Sequence, residues 1–285
     1  MGAGETGGVF LAGAAAGIFE GIVVQPMEMV KTRFQINTGQ SMRIIPTMRA
    51  IVAEGGVRQL YRGGLPEIMG LVPRSSAMWS GYEFSRRELT RLNGGTCNTQ
   101  IVAAAGVAGG CCEGVAFSPF QVVKVRLMAK EHLGRYKNTL DCVVQIVRNE
   151  GVTALTIGLA PTLWRNCVWD SIYLAGMYNI DQHVPKPDNA AIAVVQNGLL
   201  GTAMGMFATC FNAPFDVVKS RFQAQLPGSP NPYTSVFGTL RRIIAEEGAP
   251  QVYRGLLPKA IRLGVGQTVG LMVFQALLPE GHAES

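Results

Sequence analysis

The chain has 285 residues, of which 48% are hydrophobic and only 15% are charged, and its formal net charge is +6. Soluble domains carry about 25% charged residues, so the composition favours a membrane protein over a soluble one. Basic residues are spread along the chain instead of clustering with aromatic residues, which argues against a nucleic-acid partner. A soluble array of helical repeats stays open as the alternative, because Glu20 and Glu113 interrupt the best apolar stretches before either reaches about 20 residues.

The N-terminus, the cysteines and the histidines give little evidence of chemistry. Residues 1–8 have no basic region followed by an apolar core, so no secretory signal is predicted. Gly2 and Thr6 fit the loose pattern for N-myristoylation, which glycine-rich starts often match by chance. The six cysteines show no metal-ligand spacing and the three histidines are scattered. We therefore predict no metal, no cofactor and no catalytic residue.

In chain order, the first predicted element is a long helix over about residues 7–35. A short amphipathic helix follows at 46–53, and a second long apolar helix begins near Leu65. The first helix carries small residues four positions apart, which let helix backbones approach closely inside a membrane. In water, each mid-helix glycine would instead cost about 1 kcal/mol relative to alanine. This stripe and its two later copies are Gly13, Gly17 and Gly21; Gly106, Gly110 and Gly114; and Gly201, Gly205 and Thr209.

The whole unit occurs three times, at about residues 5–93, 97–186 and 190–280. Such internal repeats outrank other signals of architecture. We therefore predict one all-α membrane domain over residues 1–285, with six transmembrane helices, three short surface helices and pseudo-threefold symmetry. The later short helices fall at 139–148 and 235–245, and the later second long helices begin near Leu159 and Leu256.

A short motif lies late in the first long helix of each repeat, with its prolines 93 and then 95 residues apart. Proline removes one backbone hydrogen bond and kinks a helix, so the three helices should bend toward a common axis. The side chains two and five positions after each proline then share one helix face. The copies are Pro26-Met-Glu28-Met-Val-Lys31, Pro119-Phe-Gln121-Val-Val-Lys124 and Pro214-Phe-Asp216-Val-Val-Lys219.

Three copies of this Pro-x-acid-x-x-base motif, each followed by Glu-Gly and a further glycine at a matching offset, resemble the mitochondrial carrier family. The resemblance covers essentially the whole chain. It implies six tilted helices around a water-filled cavity that opens alternately to the matrix and to the cytoplasm, in a multi-pass protein of the mitochondrial inner membrane. Residues 30–36, 214–221 and 255–264 are similar to members that exchange 2-oxoadipate and 2-oxoglutarate.

Departures from that pattern keep two alternatives open. Gln121 replaces an acid, Met128 replaces a glutamine, and Val265 and Gln267 interrupt a glycine-rich stretch. The alternatives are a carrier of citrate-like or other dicarboxylates, and a carrier-fold structural subunit of a larger inner-membrane complex. The expected partners are small dicarboxylates and membrane lipids, with cardiolipin and such a complex as further hypotheses.

The family pattern also implies two gates. In the matrix gate, the residue two positions after each motif proline pairs with the motif lysine of the next repeat. The expected pairs are Glu28 with Lys124, Gln121 with Lys219, and Asp216 with Lys31. Gln35 and Gln223 are expected to brace two of these pairs. Charges at helix kinks inside a membrane need partners, so a closed ring is physically reasonable; a purely structural pairing of helix ends is the alternative. The cytoplasmic gate keeps an ionic copy in the first repeat alone, at Glu83 and Arg86.

The family's midplane contact points fall at Gly70, at Arg165 with Asn166, and at Arg262. Glycine would leave room for a substrate, and two arginines would bind two carboxylates through their planar forks. Asn166 is expected to hydrogen-bond a keto or carboxylate oxygen. The alternative is local pairing of the arginines, with Asp170 near Arg165.

Four further residues are weaker candidates for substrate binding or proton transfer. Arg74 and Lys259 are possible substrate contacts. Glu20 and Glu113 are intramembrane carboxylates, which by default suggest a function: tuning substrate binding, carrying a proton, or a neutral structural role.

Overall fold

The computed structural model describes residues 3–36, 43–185, 187, 190–224, 235–263 and 265–266. Within these residues the secondary structure is helical, with no strand, so the predicted all-α class is confirmed. Residue 264 and the residues from Gln267 onward lie outside the described residues, and the surroundings of Gly13, Gly17 and Glu20 are also outside the description.

Each repeat consists of a long helix, a short helix, a 3-10 turn and a second long helix. The first long helices are α1 (Ala3–Ile36), α4 (Thr99–Met128) and α7 (Ala190–Gln223). The short helices are α2 (Ile44–Gly55), α5 (Thr139–Glu150) and α8 (Val236–Glu247). The second long helices are α3 (Gly64–Leu92), α6 (Leu159–His183) and α9, described over residues 256–263.

The repeats interlock where each second long helix begins. Gly63, Gly158 and Gly255 precede these helices with φ of 88°, 77° and 88°, a left-handed conformation that favours glycine. A side chain from the end of a first long helix packs against each of them. Met128 lies against Gly63, Gln223 against Gly158, and Gln35 against Gly255. The first long helix of each repeat therefore packs against the repeat before it. The first long helix of the first repeat packs against the third repeat, so the contacts form a closed ring.

An ion pair within each repeat holds the short helix to the first long helix. Arg126 of α4 forms two hydrogen bonds of 2.5 and 2.8 Å with Glu150 at the end of α5. Arg33 with Glu54 and Arg221 with Glu247 repeat the contact. The sequence carried the signal, since an arginine stands two residues after each motif lysine and a glutamate begins each Glu-Gly pair.

The small-residue stripe brings helices together in the second repeat. A Cβ atom on Gly106 would lie 2.9 Å from the Ser171 Cα atom, and one on Gly110 would lie 2.8 Å from the Asn166 carbonyl carbon. The approach is looser at Gly205 in the third repeat, where a Cβ atom would meet nothing closer than Trp169, at 3.8 Å. Aromatic side chains of α6 hold that pair of helices further apart.

The burial pattern is that of a membrane protein around a polar interior. Val72, Phe84 and Leu199 are about 70% exposed, whereas Glu113 and Asp216 are 4% and 2% exposed. By length and composition, Thr99–Met128 is the one described helix that is apolar enough to cross a membrane. The other long helices owe their lower hydropathy partly to charges that face inward, such as Glu67 and Arg74.

Candidate functional site

A charged cavity lies where six helices converge, near the motif-bearing ends of α1, α4 and α7. Seven basic side chains and three carboxylates line it, a formal balance of +4 among the described residues. The basic residues are Lys31, Arg74, Lys124, Arg165, Lys219, Lys259 and Arg262, and the acidic residues are Glu28, Glu67 and Asp216. An environment of this charge favours an anionic ligand.

The motif residues form part of the predicted ring. Lys124 of α4 lies 3.0 Å from Glu28 of α1, as the pairing rule expects. The expected contact between Asp216 and Lys31 is replaced. The Lys31 ammonium lies 3.5 Å from Glu28 on its own helix, and Asp216 is bound by Lys259 of α9 at 2.5 Å. The Lys259 ammonium lies closer to Asp216 than the Lys31 ammonium does, and the spacing of residues along the sequence could not show this.

The third corner of the ring has no carboxylate. Gln121 and Lys219 both line the cavity, but no ion pair joins Lys219 to a carboxylate within 4.0 Å in the described part of the chain. The Gln121 Oε1 atom accepts a hydrogen bond of 3.4 Å from the Thr162 hydroxyl on α6. The neutral amide is thus engaged with a neighbouring helix.

Among the described residues, neither of the two predicted braces forms a hydrogen bond with an ion pair of the ring. Gln35 Oε1 accepts a hydrogen bond of 2.7 Å from the Ser220 hydroxyl of α7. Gln223 is fully buried and packs against Gly158. Both side chains are directed to the turns and helices of neighbouring repeats, so their observed role is packing between repeats.

Arg165 and Arg262 line the cavity, and each lies near a motif carboxylate. Arg262 Nε is 3.2 Å from Glu28 Oε2, and Arg165 Nε is 3.8 Å from Asp216 Oδ1. The carboxylate nearest to Arg165 is therefore Asp216 and not Asp170. Because these arginines touch the same carboxylates as the ring lysines, the predicted contact points and the ring form one network.

Gly70 and Asn166 do not line this cavity. A Cβ atom on Gly70 would collide with the Phe117 ring and lie 2.9 Å from Phe120 Cγ, so α4 fills the space that the sequence suggested for substrate. Asn166 is 2% exposed, and its Oδ1 atom accepts a hydrogen bond from Arg165. In the structure, Asn166 therefore holds the Arg165 side chain in position.

A second cavity of about 380 Å³ continues along α3 and α6 and shares Glu67, Arg74 and Arg262 with the first. Arg74 Nε donates to Glu113 Oε1 at 2.6 Å, so these two weaker candidates form one ion pair. Glu67, which the sequence analysis missed, lies 2.8 Å from Lys124 and 3.8 Å from Arg74. Its signal was present, since it is a carboxylate early in an apolar helix.

Opposite the motifs, the predicted cytoplasmic pair stays within one helix. Arg86 and Glu83 are 3.0 Å apart and three residues apart on α3, and Arg87 binds the same carboxylate at 2.8 Å. In the second repeat, Asn179 accepts a hydrogen bond from Thr99 of α4. Among the described residues, the ionic pairs that join different helices around the cavity are therefore those near the motifs and the Arg74–Glu113 pair, which joins α3 to α4.

No cluster of metal-ligating side chains occurs in the described ranges. His132, in the turn after α4, is buried, and its Nε2–H donates to the Ala224 carbonyl at 3.2 Å. Burial lowers the pKa of His132 to about 4. This histidine is therefore neutral near pH 7 and joins the ends of α4 and α7.

Known proteins resemble this chain along nearly its full length. A family model described as "Mitochondrial carrier protein" matches residues 3–93, 96–187 and 191–278. A probable mitochondrial 2-oxodicarboxylate carrier of Dictyostelium discoideum is 34% identical over 92% of this chain and 87% of that protein. The mitochondrial 2-oxodicarboxylate carrier of Homo sapiens is 32% identical over 93% and 91%. Mitochondrial citrate transporter D of Aspergillus niger is 33% identical over 94% and 92%.

Proposed function

Since the chain belongs to the mitochondrial carrier protein family, we propose that it exchanges 2-oxodicarboxylates across the mitochondrial inner membrane by alternating access. Its substrates would be 2-oxoadipate, 2-oxoglutarate and acids of similar shape. The name shared by relatives from Dictyostelium discoideum and Homo sapiens supports this substrate class.

The observation that carries the proposal is the +4 balance of the cavity. Unpaired charges away from bulk water are costly, so a cavity with this excess of basic side chains favours a bound anion. When Glu113, which pairs with Arg74 at 2.6 Å, is counted, the balance is +3, and a dicarboxylate would neutralise two of these charges. Arg165 and Arg262 project from α6 and α9, and two planar guanidinium groups on different helices suit a molecule with a carboxylate at each end.

The same contacts support a mechanism for coupling binding to gating. Glu28–Lys124 joins α1 to α4, and Asp216–Lys259 joins α7 to α9, so these pairs hold the matrix side closed. A substrate carboxylate that binds Arg262 competes with Glu28 for the guanidinium group. Binding would therefore loosen the ring and shift the population toward the matrix-open state.

Exchange in liposomes tests the proposal. Purified protein in liposomes loaded with 2-oxoglutarate should take up labelled 2-oxoadipate, and external citrate should compete weakly. Preferred uptake of citrate would instead support the second candidate, which the relative named mitochondrial citrate transporter D favours. Stoichiometric co-purification with an inner-membrane complex, together with no exchange of any dicarboxylate, would make the protein a structural subunit.

A further inference from the structure

Lys219 differs from the other lysines of the cavity. It lies on α7, three residues after Asp216, half-buried in the cavity wall. Lys31 and Lys124 each lie within 3.5 Å of Glu28, and Lys259 lies 2.5 Å from Asp216. Among the described residues, no carboxylate oxygen lies within 4.0 Å of the Lys219 ammonium.

The cause is a single position in the sequence. Gln121 stands where the first and third motifs have Glu28 and Asp216. Its Oε1 atom accepts a hydrogen bond from the Thr162 hydroxyl, and a neutral amide compensates an ammonium ion less well than a carboxylate does. Between α4 and α7, the ring therefore has a lysine that no carboxylate of the described residues contacts.

We propose that Lys219 binds one carboxylate of the transported dicarboxylate, so that the substrate supplies the negative charge that Gln121 lacks. This inference rests on the proposed function and adds a specificity-determining residue to it. A half-buried ammonium without a counter-ion gains more from an incoming carboxylate than a lysine that is already paired. Lys219 shares the cavity wall with Arg165, so one carboxylate would lie on this side and the other at Arg262.

The proposal predicts a preference for substrates with two carboxylates over those with one. A 2-oxo monocarboxylate could satisfy one arginine and would leave Lys219 without a partner. A dicarboxylate would satisfy both sides of the cavity. Lys219 should therefore contribute to the binding of the second carboxylate and hardly to that of the first.

The test compares 2-oxoglutarate with 2-oxopentanoate, which has the same chain and keto group but one carboxylate fewer. Thermal stabilisation of the detergent-solubilised protein by each acid gives its relative affinity without any transport step. In Lys219→Gln, the affinity for 2-oxoglutarate should fall about 10- to 100-fold, as for the loss of a charged hydrogen bond. The affinity for 2-oxopentanoate should change less than about threefold. Lys137→Gln removes the same charge from an exposed position outside the cavity and serves as the control.

A second variant changes the residue of α4 that faces Lys219. Gln121→Glu keeps Lys219 but gives it a protein carboxylate, so it should also weaken 2-oxoglutarate binding selectively. An equal loss for both acids in Lys219→Gln, or no loss for either, would overturn the proposal. If the wild-type protein exchanged no dicarboxylate in liposomes, the proposed function would fail, while the selective binding measured in detergent would still decide the role of Lys219.

Discussion

At the scale of single residues, Arg165 and Arg262 are the side chains on which substrate binding should depend most. Truncating one partner of a buried charged contact costs about 2–5 kcal/mol. We expect Arg165→Ala and Arg262→Ala each to slow dicarboxylate exchange by tens to thousands of fold, although the protein still inserts and folds. Lysine at either position should restore only part of the rate, because an ammonium ion cannot replace the planar fork.

Exchange rates in liposomes, at equal amounts of inserted protein, measure this effect. Arg241→Ala on the exposed face of α8 is the matched control and should exchange at the wild-type rate. A wild-type rate in Arg165→Ala or Arg262→Ala would remove that arginine from the substrate site.

His132 gives a prediction about pH. Its pKa is about 4 in the folded protein and about 6.5 when exposed, so the unfolded chain binds the proton first as the pH falls. Below pH 6.5 this group therefore destabilises the fold, by roughly 2–3 kcal/mol at pH 4. His132→Gln, which can still donate to the Ala224 carbonyl, should lose less stability than the wild type between pH 6.5 and pH 5. Thermal unfolding across that range measures it.

The exposed His183 provides the control for this comparison. His183→Gln makes the same exchange at an exposed position and shows what replacing a histidine does to stability away from the contact between α4 and α7. Parallel stability curves for the wild type and His132→Gln would show that the buried imidazole does not titrate as its surroundings indicate.

The ring illustrates what sequence could predict at this scale. The pairing of Glu28 with Lys124 followed from the repeated motif, and it is present at 3.0 Å. The pairing of Asp216 with Lys259 did not follow, because it depends on which of several long side chains reaches the carboxylate first. Spacing along the chain identifies which residues face the axis, but three-dimensional distances choose their partners.

At the scale of helices, Gly110 and Gly205 occupy similar places in the small-residue stripe but differ in their surroundings. An added Cβ atom at Gly110 would lie 2.8 Å from the Asn166 carbonyl carbon and 2.9 Å from the Cys167 nitrogen, both backbone atoms of α6. Gly110→Ala should therefore force the helices apart and cost about 1–3 kcal/mol. Gly205→Ala has ordinary contacts and should be neutral or more stable by up to about 1 kcal/mol.

Thermal unfolding of the two variants in detergent measures the difference. Equal effects at both positions would mean that helix propensity, and not the close approach of α4 and α6, determines the role of these glycines. The sequence predicts a close approach of helices at both stripes. It shows where a residue is small but not how near the facing helix lies.

At the scale of the whole molecule, the threefold repeat allowed most of the architecture to be predicted. The order of long and short helices agrees with the period of the motif through the described residues. The net charge of the cavity could not be predicted in the same way, because it arises only when side chains from six helices meet. Glu67 contributes to that balance and was missed, although it follows a Gly-x-x-Pro step that recurs before Thr162 and Lys259.

The charge at position 121 should affect both the cavity and the gating equilibrium of the whole carrier. Gln121→Glu would give Lys219 a protein partner and add a third ionic contact to the matrix ring. A charged hydrogen bond is worth about 1.5–3 kcal/mol, and desolvation reduces the gain to about 1 kcal/mol in favour of the matrix-closed, cytoplasm-open state. Because gating is a balance of populations, the step to the matrix-open state should become harder and exchange slower.

Thermal stability with and without an inhibitor that locks the cytoplasm-open state, measured alongside exchange, tests this shift in the Gln121→Glu protein. Gln100→Glu adds the same charge at an exposed position near the start of α4, so its stability should change equally with and without the inhibitor. If Gln121→Glu matched the wild type in both stability and exchange, position 121 would not belong to the gate. The contact between α4 and α7 would then depend on packing and on the hydrogen bond between Gln121 and Thr162, and not on charge.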